Sequence, residues 1–178
     1  MTDTSVNPLG KPGEERCPDC GAPVPGGRAG CQAIWDNFSL QVTADLRLGG
    51  VRDLALDAYC LQHLGRYCRS AKSYAAHLTR LCCGLEYAAN PTIYAAIRRW
   101  LDGRVDLVLP EPPQDLGQVT IASLVPSSTP EEYLAQVQVW AGNVWAAYSL
   151  QHDLARQWIQ AALESPASLR KKSTNSKK

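Results

Sequence analysis

The stretch that decides the fold is Ser70–Tyr87, "SAKSYAAHLTRLCCGLEY". Tyr74, His77, Leu78, Leu81 and Leu85 recur at steps of three, one, three and four. That spacing gathers them on one face of a helix and leaves Lys72, Arg80 and Glu86 for the other. The same period extends in both directions. Upstream, Val51, Leu54, Ala58 and Leu61 make a stripe on a helix expected over Val51–Tyr67, with Leu56, Tyr59 and His63 on the adjoining face. Before it, "CQAIWDNFSLQVTADLRL" (31–48) sets Ile34, Trp35, Phe38, Val42 and Leu46 in a further stripe, which Gly49-Gly50 should close.

Downstream, "NPTIYAAIRRWL" (90–101) opens with a capping Asn90 and with Pro91 at the first helical position, where a missing N–H costs nothing. The period then fails. "LVLPEPPQDLGQ" (107–118) contains three prolines that no helix tolerates, and "TIASL" (120–124) offers one short turn capped by Thr120. A connection this long should pack over the bundle or beside a site. Thr129, Pro130 and Glu132 form a capping-box start. From there one helix is expected to about Leu163, with Ala141, Trp145, Tyr148, His152, Ala155 and Ile159 along a face. No alternating strand pattern and no internal repeat stands out. The expected fold is all-α, a bundle of four or five helices.

The chain has 178 residues, 45% of them hydrophobic, enough for one domain with a sizeable core. Residues 1–16 and 165–178 read as tails around a domain at 17–164. Lys and Arg number 18 against 17 Asp and Glu, so overall charge argues for no nucleic acid or acidic partner. Basic charge gathers only at the end, in Arg170, Lys171, Lys172, Lys177 and Lys178, which reads as a solvated tail and the one route to a nucleic acid. No apolar run approaches the ~18 residues of a membrane span. The opening residues carry no apolar signal core, and a cytoplasmic protein is expected.

Ahead of the first helix lies "CPDCGAPVPGGRAGC" (17–31), too rich in glycine and proline for regular structure. A CxxC turn presents two thiolates to one ion, and Cys31 supplies a third soft donor at the mouth of a helix. Zinc is the expected metal in a reducing setting, and the site becomes a metal-binding loop on the bundle. The fourth ligand should be one of the three histidines, His63, His77 and His152, each on a different expected helix. Two arrangements follow. Three cysteines and one histidine make a closed structural site, which fits the loop better. Three histidines together make an open site with room for a water, the form that catalysis needs. Cys60, Cys68, Cys82 and Cys83 should pack as small apolar groups, and Trp145, Tyr148 and Trp158 should fill core. Arg98, Arg99 and Arg104 should mark an exposed face, and Arg66 and Arg69 offer an anion contact near His63.

Taken in order, "CPDCGAPVPGG", "CQAIWD", "LDAYCLQHLG", "SYAAHLTRLCCGLE" and "VQVWAGNVWAAYSLQH" resemble an uncharacterised bacterial family known only as a domain of unknown function. Its pattern is a CPxCG start, then DAYxxQHP, AxHLxxLCxxLE and a closing VWxAWxxHH. The resemblance spans about Cys17 to Trp158 and implies that Cys17, Cys20, Cys31, His63, His77 and His152 fall on motif positions. Leu64 stands where the family has proline, and Gln151 where a second histidine often sits. A looser likeness is to DinB-like metal-dependent bundles, which hold three histidines among their helices. It implies a hydrolase or thiol transferase as the alternative to a binding or scaffolding role with a protein partner.

Overall fold

The structure is a computed structural model that describes residues 15–125 and 129–165; the two tails read from the sequence lie largely outside them, the basic residues 170–178 entirely. Among the described residues the chain is helical, with no strand and a single isolated antiparallel bridge, Arg16 to Pro23. The helices are α1 (Gly27–Ala44), α2 (Gly49–Gln62), the short α3 (Leu64–Tyr67), α4 (Ala71–Glu86), α5 (Pro91–Asp102), α6 (Pro130–Ala147) and α7 (His152–Glu164). The all-α architecture read from the periodicity is the one found.

α2 lies at the centre, packed against α4 and α6, while α4 also meets α5 and α7, and α1 lies on α2. The core follows the stripes: Leu54, Ala58 and Leu61 from α2, Tyr74, Leu78 and Leu81 from α4, and Val137, Trp140 and Val144 from α6 are all buried. Starts are chemically marked. Ser70 accepts the Ser73 N–H while the Ser73 side chain takes the Ser70 N–H, Asn90 caps α5 and Thr129 caps α6.

Four boundaries differ from the sequence reading. α1 starts at Gly27, inside the stretch read as an irregular cysteine loop over 17–31, so that Cys31 is helical. Gly49-Gly50 opens α2 instead of closing α1, because a 3-10 turn at Leu46–Leu48 absorbs the change of direction. α2 stops at Gln62, and His63 sits at the break (φ −127°, ψ 50°) before α3. The helix expected from 129 to 163 is two helices, parted by a 3-10 turn at Ser149–Gln151, where Tyr148 N–H closes onto Trp145 O at 3.0 Å. The apolar residues keep step across that turn, so their spacing conceals it.

The proline-rich connection is pinned to the core by Gln62. Its amide N–H groups reach Leu116 O (3.0 Å) and Val119 O (2.9 Å), and its oxygen accepts the Trp140 indole N–H at 2.9 Å. A fully buried amide with these partners is satisfied, and it fixes where the connection crosses the bundle. Asn143 adds a bond from the Val119 N–H, at 2.8 Å.

Candidate metal centre

Cys17 and Cys20 lie in a turn that the backbone closes on itself. The Gly21 N–H bonds Cys17 O at 2.8 Å and the Cys17 N–H bonds Ala22 O at 2.9 Å. Gly21 makes this possible by adopting φ 74°, a left-handed conformation that costs little without a Cβ. The turn is anchored on both sides. Val24 N–H bonds Glu15 O at 3.0 Å, and Ala22 and Val24 are buried. Asp19 takes a two-pronged contact from Arg28 on α1, 2.7 and 2.9 Å, which holds its carboxyl below the usual range.

The third sulfur comes from α1, which begins at Gly27, so Cys31 projects from its interior. The residue before it is Gly30, against which the Pro25 carbonyl packs directly. The fourth donor is His63, delivered by the break after α2. Its Nδ1 lies 2.7 Å from Tyr59 O. A carbonyl only accepts, so Nδ1 carries the proton and Nε2 presents a lone pair. That nitrogen is 3.4 Å from Cys31 Sγ and 3.7 Å from Cys17 Sγ, and Cys20 Sγ is 3.8 Å from Cys31 Sγ. The imidazole is held flat by Tyr59, centroids 4.0 Å apart, and Tyr59 stacks in turn on Trp35 at 4.4 Å.

These spacings match a metal tetrahedron. With metal–sulfur bonds near 2.3 Å and a metal–nitrogen bond near 2.0 Å, the edges are about 3.8 Å between sulfurs and about 3.5 Å from sulfur to nitrogen. All four donor atoms lie within 4.8 Å of one another, and all four residues are buried. The donors fit a cation of the thiolate- and imidazole-preferring kind. The hydrogen bond from Cys31 holds the Cys20 thiol down to about 4, and the same bond pushes Cys31 up. Among the described residues this is the one group of three or more such side chains close enough to share an ion.

The other two histidines are elsewhere, each with its own partner. His77 on α4 donates Nδ1–H to Asp57 at 2.9 Å, and His152 donates Nε2–H to Trp145 O at 2.8 Å with its ring stacked on that indole at 3.9 Å. The three-histidine arrangement that the sequence left open is therefore not assembled. Arg66 and Arg69 face protein acceptors, Gln32 Oε1 (2.6 Å) and Gly65 O (2.9 Å), instead of an anion site. Cys60, Cys68, Cys82 and Cys83 are free and buried, and Arg98 and Arg104 are exposed while Arg99 is half-buried.

Sequence reasoning missed Asp57. Its carboxylate is fully buried on α2 and receives His77 and the Arg80 Nε–H (3.1 Å), while burial pushes its pKa up against both. The available signal was an acid amid the buried face of α2, facing a helix that carries His77 and Arg80 three apart. Asp57→Ala should cost about 2 kcal/mol in urea denaturation, below the 3–5 of a fully buried pair because Arg80 can still reach solvent. Metal content should be unchanged, since no donor touches Asp57.

The fold and centre define a helical protein with a buried three-cysteine, one-histidine cluster able to hold a metal ion. The chain belongs to a family of unknown function, DUF5946, matched over residues 15–149, a span that contains all four donors. No curated protein and no solved structure matches it. No described helix is long and apolar enough to cross a membrane.

Proposed function

We propose that the chain is a cytoplasmic zinc protein whose Cys17, Cys20, Cys31 and His63 fasten the N-terminal segment to the helical bundle, and that it binds or scaffolds a protein partner. The observation that carries this reading is the agreement between the donor spacings and the edges of a zinc tetrahedron. Four protein donors fill four positions, which leaves none for a water or substrate and favours a structural ion. Seven unpaired cysteines suit a reducing compartment. The metal-dependent enzyme reading has no geometric support, because His63, His77 and His152 are each committed to a separate partner.

Metal analysis of the purified chain should return one zinc per molecule. Cobalt substitution should give intense thiolate-to-metal absorption and the strong visible bands of a tetrahedral ion. A metal-free preparation with an unchanged melting temperature would end the proposal, and cobalt spectra without thiolate bands would remove the cysteines from it.

A further inference from the structure

Cys20 lines a cleft that the other three donor residues do not line. The cleft has a volume of about 610 Å³, with Asp19, Cys20 and Gly21 on one wall and Asp115, Gly117 and Thr120 on the other. Cys20 is 8% exposed, against 1% for Cys17, 0% for Cys31 and 2% for His63. A small polar molecule in this cleft therefore lies against Cys20, the most exposed of the four donor residues. Behind it, at 3.8 Å, lies Cys31 Sγ. The two sulfurs differ in their supports. Cys31 projects from α1 and Cys20 from the turn, and a disulfide bond of about 2.0 Å requires the two to close the remaining gap.

The remaining thiols are poor competitors. Burial pushes Cys68 and Cys82 up to about 12 and raises Cys60 and Cys83 as well, so they stay protonated. Cys68 and Cys83 are directed at backbone carbonyls, Cys60 O and Asn90 O.

We propose that Cys20 is a site of oxidation by hydrogen peroxide, and that this oxidation expels the metal by joining Cys20 to Cys31. The proposal rests on the zinc reading above and assigns that site a regulation. The Cys20 thiolate attacks one peroxide oxygen, the O–O bond breaks, and hydroxide leaves as the sulfur becomes a sulfenic acid. Cys31, which a bound cation would hold as thiolate, then attacks that sulfur, the S–O bond breaks, a second hydroxide leaves, and the disulfide forms. Two thiolates have given up two electrons, the peroxide has accepted them, and solvent protonates both hydroxides. The cation keeps only Cys17 and His63, half of its ligands, and dissociates.

The experiment uses the full chain, first shown to carry one zinc, exposed to hydrogen peroxide beside a chromogenic zinc chelator. One zinc should be released per Cys20–Cys31 disulfide found by peptide mapping, and dithiothreitol with added zinc should reverse both. Gln114→Trp, which narrows the cleft without touching a donor, should keep full zinc content and slow release several-fold. Zinc retained under peroxide, a different disulfide, or an unchanged rate in Gln114→Trp would overturn the proposal while leaving the zinc reading intact. A chain without zinc at the outset would overturn both.

Discussion

Stripping the metal with a strong chelator is expected to lower the melting temperature by about 8–16 °C. A ligand present at about a thousand times its dissociation constant contributes about 4 kcal/mol, and each kcal/mol moves the melting point of a chain of this size by about 2–4 °C. The loss should be local before it is global. Residues 15–26 are held by a few backbone bonds, the buried Ala22 and Val24, and the centre itself, whereas α2, α4 and α6 share a large apolar core. Amide exchange should therefore lose protection first in the cysteine turn and last in α4. Helical circular dichroism should be mostly kept, and the near-ultraviolet signal of Trp35, two rings from His63, should change. Cys31→Ser should reproduce the chelated state without chelator, and chelator should then add nothing. Acid should act in the same direction, because thiols must lose protons to bind and affinity falls as pH falls. A melting temperature indifferent to both chelator and Cys31→Ser would show that the segment is held by packing alone.

The histidines show why only part of this centre could be read in advance. Two cysteines in a Gly- and Pro-rich turn and a third just ahead of the first apolar stripe declare themselves, because little that is apolar around them gives three thiols a reason to be there. The choice among His63, His77 and His152 is different. Each lies near an apolar stripe, and each is satisfied by a group that is distant in sequence or carried by the backbone. Asp57 is twenty residues before His77, and the acceptors for His63 and His152 are carbonyls, which have no sequence signature. His63 is selected because α2 ends one residue before it, and Gly65 is a weak and slightly late mark of that break, with neither proline nor a charged cap beside it. The break between α6 and α7 is hidden for a related reason. Periodicity records which face is apolar, and the 3-10 turn at Ser149–Gln151 returns Ala155 and Ile159 to the core with little loss of phase. What the sequence states strongly is therefore local: the all-α bundle from its periodicity, the capped starts at Asn90 and Thr129, and the cysteine trio.

Gly30→Ala is expected to be among the most damaging single changes in the chain, although alanine is the better helix former and Gly30 lies inside α1. A Cβ at this position would fall 1.9 Å from the Pro25 carbonyl oxygen and 3.0 Å from its carbon. Both are backbone atoms, so no rotamer relieves the clash, and either α1 or the segment 23–26 must move. That segment continues from the turn holding Cys17 and Cys20, and α1 holds Cys31. The displacement therefore pulls apart the donors that must lie within 4.8 Å. A loss of about 3 kcal/mol follows, the upper end of what overpacking typically costs, together with weaker metal binding. Gly142→Ala provides the opposite sign on the same chemistry. It lies inside α6 with nothing within 4 Å of an added Cβ, so it should stabilise by about 0.5–1 kcal/mol and leave metal affinity alone. Denaturant melts of the two variants, each with and without chelator, separate the effects. Gly30→Ala should lose most of its sensitivity to chelator, because its metal is already poorly held, while Gly142→Ala should keep the full parental shift. If Gly30→Ala were as stable as the parent and bound zinc equally well, the close approach of the Pro25 carbonyl, and with it the route by which α1 and the cysteine turn are brought together, would be wrong.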